Sequence, residues 1–165
     1  MVAGVICSIL LIFYGVKFNP FGYPFEINLE NRLRVASKSC LPLAVILAVS
    51  IGRLAKHRFF TPNDIDGSGL TQASAQAQIL QSIIQNTMEQ TIIAALTYLV
   101  WSVLMPGNML SVVPLASIAF GIGRLLFIIG YSYGAPARAL GFTLSFYVTV
   151  GMLLFLAFSL VNTVF

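Results

Sequence analysis

The sequence predicts an all-α membrane protein, a compact bundle of membrane-spanning helices. Three observations predict it. First, 58% of the 165 residues are hydrophobic and only 8% are charged, with a mean hydropathy of +0.92. A soluble domain carries about 25% charged residues. Second, the apolar residues gather in five stretches, and a span needs about 20 mostly apolar residues. Third, no stretch alternates with period two as a barrel strand would, so helices must satisfy the backbone in lipid. This composition excludes a soluble globule, a disordered tail and a nucleic-acid-binding module, so no nucleic-acid partner is expected. Nine basic and five acidic residues give a net charge of +4. On so uncharged a chain, these residues belong at membrane edges or inside a polar site.

The first stretch runs from about Val2 to Val16. It lacks the basic n-region and cleavage site of a signal peptide. It is short for a span, and a helix whose N-terminal part lies outside the sequence is favoured over a short helix at the membrane edge. Lys17 to Lys38 reads as an irregular connection. It opens on FNPFGYPF, where Pro and Gly interrupt a helix, and turns polar with Glu26, Asn28, Glu30, Asn31, Arg32 and Arg34. The sequence thus divides into residues 1–38, an apolar helix with its interfacial connection, and 39–165, a four-helix transmembrane domain.

The second stretch covers about Ser39 to Leu54. The loop after it, Arg53 to about Gln78, holds Arg53, Lys56, His57 and Arg58. Cations at the end of a span favour the cytoplasmic side, but the first connection carries four cations of its own. The third stretch runs from Ile79 to Met105, and the fourth from about Met109 to Tyr131. The tight turn Pro106-Gly107-Asn108 makes these two an antiparallel hairpin. Gly134-Ala135-Pro136 marks the next turn, and the fifth stretch runs from about Ala139 to the C-terminus. Ser117 with Gly121, Ala119 with Gly123, and Gly141, Ser145 and Thr149 place small residues at four-residue spacing, which lets helices approach closely in lipid.

Several motifs read as ordinary structure. Asp64 to Gly69 resembles the start of a calcium loop, but position 12 is Ala75, without the carboxylate such a loop needs. It reads as a Gly/Asp-rich turn. His57 reads as an interfacial residue without a second metal ligand. Cys7 and Cys40 read as apolar packing residues, with no zinc spacing. No metal site is expected.

The informative residues are polar ones inside the spans. The third stretch carries QNTMEQ, from Gln85 to Gln90. Asn86 and Glu89 are three apart and share a face. The fourth carries Arg124, seven residues before Tyr131, which puts Arg124, Phe127 and Tyr131 on one face. Glu89 is the one acidic residue after Asp66. A charge at the bilayer centre costs on the order of 2.5–3.5 kcal/mol, so Glu89 and Arg124 are expected as a structural ion pair holding helices together. Asn86, Tyr131 and Arg138 read as a polar pocket near a membrane face. An arginine there binds an anion or stabilises a thiolate, the nucleophilic form of a thiol. The alternative for Arg138 is snorkelling to head groups.

QNTMEQ resembles the second-helix signature of the MAPEG superfamily, membrane-associated proteins of eicosanoid and glutathione metabolism. GRLLFIIGYSYGAPAR is similar to that superfamily's third helix and following turn. The resemblance covers about Leu41 to Phe165. It implies a left-handed four-helix bundle, here with one extra N-terminal transmembrane helix, assembled as a homotrimer that binds glutathione between subunits near the cytosolic face. Carried over residue by residue, Asn86, Glu89 and Tyr131 match tripeptide-contacting positions. Arg138 matches the arginine that activates the thiol in catalytic members, with Tyr131 beside it.

Two departures weaken glutathione binding. Ser82 stands where enzymes of the family carry a basic residue, and Gln90 stands where an aromatic is common. Five helices with the NTxEQ and GYSxGxxxR patterns look like the mattrin branch. That implies a multi-pass endomembrane protein of the secretory or lysosomal system, in contact with membrane lipids and membrane-protein partners, without established catalysis. The alternative it implies is a glutathione-dependent transferase or isomerase acting on lipophilic, eicosanoid-type electrophiles.

Overall fold

The structure is a computed structural model and describes residues 2–67, 70 and 72–164. It is all-helical, with α1 (Val2–Phe18), α2 (Leu29–Phe60), α3 (Ala75–Leu104), α4 (Val112–Gly130) and α5 (Ala135–Val164). Short 3-10 turns at Pro62–Asp64, Gly107–Met109 and Tyr131–Tyr133 join them. α2 and α3 form one antiparallel hairpin, and α4 and α5 form the other. α2 packs on α4 and α3 on α5, which closes a four-helix bundle. Among the described residues, four segments are long and apolar enough to cross a membrane, centred on α2, α3, α4 and α5. α1 has 17 residues, about 25 Å of helix, and is the shorter fifth.

α1 lies outside the bundle against α5 and α4. Its buried residues are Gly4, Ser8 and Gly15. A Cβ on Gly4 would collide with Thr143, and one on Gly15 would sit 2.8 Å from Val112. Ile12 meets Gly151, so α1 runs parallel to α5. The small residues foreseen for close packing do this at one crossing in particular. A Cβ on Gly123 would come within 2.8 Å of the Gly141 carbonyl. Ser117 donates to the Ser39 carbonyl at 2.7 Å, linking α4 to α2. Gly121, its expected partner in the stripe, has open space beside it.

The bundle core is built from Leu43, Tyr98, Trp101, Val112, Phe120 and Met152, all fully buried. Trp101 donates its indole N–H to the Met109 carbonyl at 3.0 Å. That hydrogen bond pins the α3–α4 turn to the core.

The connection after α1 differs from the expectation. Only residues 19–28 are irregular. α2 starts at Leu29 and runs without interruption to Phe60, so the polar residues from Glu30 to Lys38 are helical. The Asn28 side chain caps the helix by accepting from the Asn31 amide at 2.9 Å. Arg32 then reaches across to the end of α3, donating to the carbonyls of Ser102 at 3.0 Å and Met105 at 2.6 Å. A polar helical turn is tolerated here because its arginine satisfies carbonyls that a helix end leaves open. Pro42 sits inside α2, where it forgoes one backbone bond.

Asn19 organises the FNPFGYPF segment. It adopts a positive φ of 41°. Its side chain accepts from the Tyr23 amide and the Ser111 hydroxyl and donates to the Tyr23 carbonyl. The segment folds over the α3–α4 turn, where Gly107 donates to Phe25 O at 3.1 Å. A Cβ on Gly107 would strike the Pro24 carbonyl, so only glycine fits beneath this loop.

Candidate functional site

The opposite end of the bundle holds the residues singled out by the motifs. The turn from α4 into α5 uses Gly134 at φ 95°. It reverses the chain so that Tyr131 and Arg138 face each other. Arg138 lies over the Tyr131 ring with 4.3 Å to the centroid. Tyr131 meets Phe127 edge-on at 5.3 Å, and Arg124 lies over Phe127 at 4.1 Å. The result is a continuous stack, Arg124–Phe127–Tyr131–Arg138, with a cation at each end. Arginine–aromatic stacking is favourable because the ring face is electron-rich.

Beside the stack is a cavity of about 330 Å³, lined by Asn86, Phe127, Tyr131, Arg138 and Phe142 among others, with no carboxylate in its wall. Asn86, Tyr131 and Arg138 therefore come together around one space. The arrangement offers one cation, one amide, one phenol and apolar ring faces, which suits an anion carrying an apolar part.

Glu89 is not part of it. It is exposed and accepts from the Gln85 amide at 2.7 Å. The expected Glu89–Arg124 ion pair is not formed within the chain. Arg124 is fully buried and donates to Asn86 Oδ1 at 2.9 Å and Thr87 Oγ1 at 2.7 Å. The reason is helical phase. At about 100° per residue, Ile83, Thr87, Gln90 and Ala94 form one inward arc, and all four are buried. Asn86 falls at its edge, and Glu89 falls well outside it. Sharing a face with Asn86 was correct as spacing, but the shared face is the rim of the buried arc.

Two residues of the site were given no contact by the sequence reading. Thr87 accepts from Arg124. Gln90 is buried, accepts from the Ser145 hydroxyl at 2.6 Å, and keeps a buried amide nitrogen without a partner. Their signal was present in QNTMEQ as a second polar pair three apart, in phase with the apolar residues Ile83 and Ala94.

His57 also has a partner that the sequence reading did not give it. Its Nε2 meets Asp64 Oδ2 at 2.8 Å. Asp64 is buried and accepts from Ser74 twice, from the hydroxyl at 2.6 Å and from the amide at 2.8 Å. These two bonds, and then His57, hold the Asp64 carboxyl down at about 2. Ser74 is in turn the N-cap of α3, accepting from the Ala77 amide. The calcium-like run is thus a clasp between the end of α2 and the start of α3, and Ser68 and Gly69 of that run lie outside the described residues. Among the described residues, no group of three His, Cys, Asp or Glu side chains is placed to hold a metal.

The MAPEG family model matches residues 39–158, which is most of the chain and takes in α3 and α4 whole and most of α2 and α5. The chain belongs to the MAPEG family. No curated protein and no solved structure matches it. This MAPEG protein is a multi-pass, all-helical membrane protein, and α1 lies outside the matched region. Ser82, one of its departures from the family pattern, is exposed and donates back to the Gln78 carbonyl at 2.9 Å. It shares a cavity of about 260 Å³ with Arg58, Gln78 and Gln81, so a cation from α2 stands close to the position where Ser82 brings none.

Proposed function

We propose that this MAPEG protein is mattrin-like, binding glutathione, lipid or both at subunit interfaces and serving secretory or lysosomal membrane homeostasis without catalysis. The observation that carries the reading is the carboxylate-free cavity shared by Asn86, Tyr131 and Arg138. Glutathione supplies two carboxylates and a thiol, all of which suit an arginine. An acyl carboxylate with its chain along Phe127 and Phe142 suits the same walls. Arg138 and Tyr131 take the thiol or carboxylate end, and Asn86 orients the ligand.

Glu89 supports the oligomeric part of the reading. It is exposed near the midpoint of α3, beside Gln85 and in line with Gln81 and Ser82. A carboxylate facing lipid within a span is expensive, so a second copy, in a trimer, covers this face and brings Glu89 to the binding site. Membrane-protein partners belong to the same reading.

The second reading is a glutathione-dependent transferase or isomerase acting on lipophilic electrophiles. One observation favours it. The Arg138 guanidinium is stacked in place on Tyr131, in position to stabilise a thiolate.

Calorimetry of the purified full chain with millimolar glutathione tests both. Saturable binding that disappears in Arg138→Ala, with no conjugation of a standard electrophile, is the expected result. Conjugation that is lost in Arg138→Ala establishes the enzyme instead. Absence of saturable glutathione binding leaves lipid as the ligand.

A further inference from the structure

The cavity beside the arginine–aromatic stack shares a wall with α1. Thr143 of α5 lines that cavity and is buried. It also meets Gly4 of α1, where a Cβ would collide with Thr143 Oγ1 and Cβ. One side chain therefore separates the α1 backbone from the ligand space. By contrast, Leu140, three residues earlier on α5, is 49% exposed. The outward face of α1 meets lipid, with Ile6, Ile9 and Phe13 each more than half exposed. The matched family region begins at residue 39, so α1 reaches this cavity from outside that region.

The contact is one of close packing. Small residues let two helix backbones approach in lipid, and both hydroxyls at this crossing turn back to their own helices. Ser8 donates to the Gly4 carbonyl at 2.7 Å, and Thr143 donates to the Leu140 carbonyl at 3.0 Å. Because the Gly4 Cβ position is already filled by Thr143, no width is left there for a hydrocarbon chain between α1 and α5. Any side chain at Gly4 must push α1 outward or drive Thr143 into the cavity. Ile12 against Gly151 and Gly15 against Val112 hold the rest of α1 in place. The cavity is about 330 Å³, at the small end of the roughly 300–1,000 Å³ common for ligand sites.

We propose that α1 is the lipid-side wall of the ligand cavity, and that Gly4, seated on Thr143, restricts the cavity to anions with a short apolar part. A long chain held at Arg138 has no exit between α1 and α5. Of the ligands that suit these walls, a compact one such as glutathione is favoured over a full-length acyl carboxylate. Gly4 thus determines specificity through Thr143 without touching the ligand. The restriction rests on the reading of the Asn86–Tyr131–Arg138 cavity as an anion site, whereas the wall does not.

The wall is tested without a ligand. The full chain carrying Cys7→Ala, Cys40→Ala and Thr143→Cys is reconstituted in phosphatidylcholine nanodiscs and exposed to N-dodecylmaleimide, a thiol reagent that dissolves in the bilayer. Thr143→Cys should react about tenfold more slowly than Leu140→Cys in the same background. Gly4→Leu, which forces α1 off residue 143, should raise the rate at Thr143→Cys about tenfold. Gly15→Leu, which disturbs α1 against Val112, should leave that rate unchanged. Circular dichroism and thermal melting check that each variant is folded. Equal rates with and without Gly4→Leu overturn the wall. Equal gains from Gly15→Leu also overturn it, because they reduce the effect to a general loosening of α1. Calorimetry with S-methylglutathione and S-decylglutathione then tests the restriction. The wild type should bind the methyl thioether about tenfold more tightly than the decyl one, and Gly4→Leu should narrow that ratio to about threefold or less. Gly4→Ala should also weaken the selection, and adding Thr143→Gly, which removes the atoms that the new methyl strikes, should recover part of it. Tighter binding of the decyl thioether by the wild type overturns the restriction. Failure of both thioethers to bind overturns the glutathione reading and the restriction with it, while the labelling rates decide the wall on their own.

Discussion

The two ends of the bundle use arginine in opposite ways. At the end where α3 turns into α4, Arg32 is committed to the protein's own backbone, with the carbonyls of Ile27, Ser102 and Met105 as its acceptors. At the other end, Arg138 rests on a ring beside a cavity, and Arg53 and Lys56 line a recess between the end of α2 and the start of α3. At the first end chain folds over chain, with Gly107 under Pro24 and Asn19 bonded to Ser111. Both ends carry cavities, but the one that Arg32 lines also holds Glu26, whereas those beside Arg138 and beside Arg53 have no carboxylate in their walls. Charge committed to carbonyls stabilises the bundle, and charge left facing a cavity is available to a ligand. Arg124 lies between these cases. It is buried like a structural residue, yet its Nε has no acceptor.

The largest effect that this contrast predicts is at Arg32. Arg32→Ala removes three charge-assisted hydrogen bonds and leaves carbonyls at the end of α3 open. Hydrogen bonds to a charged group contribute about 1.5–3 kcal/mol in favourable cases, and partial exposure reduces the sum. A loss of about 3 kcal/mol is expected, read as a lower melting temperature in detergent. Arg138→Ala in the same assay should change melting by less than about 1 kcal/mol while it changes ligand binding. Equal melting losses at the two positions would remove the contrast.

Next in size is Thr87→Val. It keeps the shape of the side chain but leaves an Arg124 donor buried without an acceptor, at a cost of about 2 kcal/mol. Thermal melting checks it, and Thr87→Ser should restore most of the loss.

A smaller effect comes from pH at the clasp between α2 and α3. The Asp64 carboxyl is depressed to about 2 by Ser74 and then His57. A depressed carboxyl contributes stability above its unfolded value, near 4, and that contribution is lost as pH falls from about 4 through about 2. Melting temperature should therefore show no Asp64-dependent change between pH 7 and pH 5 and should fall below pH 4. Asp64→Asn should reduce that fall. An unchanged pH profile in Asp64→Asn would show that the clasp carries no linkage.

Much of this was legible in the sequence because lipid imposes simple rules. Apolar run length marked the spans, Pro106-Gly107 and Gly134 marked the turns, and the QNTMEQ and GYSYGAPAR runs held Asn86, Tyr131 and Arg138, which line one cavity. What the sequence hid was long-range pairing. Glu30 to Lys38 looked like a loop because no local pattern shows that Arg32 answers carbonyls some seventy positions away. His57 read as an interfacial residue because Asp64 reaches it only after the chain turns at Pro62. Glu89 and Arg124 looked like partners because charge complementarity is visible in a string of letters, whereas helical phase relative to neighbouring helices is not.

The smallest predicted effect tests that last point most directly. Glu89→Gln removes the negative charge while keeping a side chain that Gln85 can still meet across one turn. If Glu89 were the counter-ion of Arg124, its loss would strand a buried cation, at about 3–5 kcal/mol. In the observed geometry, Asn86 and Thr87 hold Arg124 through neutral oxygens and Glu89 is exposed, so the bundle should lose less than about 0.5 kcal/mol. Melting of Glu89→Gln beside Thr87→Val separates the two views, because the order of their losses reverses between them. Light scattering on the same samples reads a different quantity, the oligomeric mass. A fall in mass without a fall in bundle stability would assign Glu89 to contact between copies. If Glu89→Gln instead melts as far below the wild type as Thr87→Val, Arg124 depends on a carboxylate after all, and the neutral cradle of Asn86 and Thr87 is insufficient to keep a buried guanidinium.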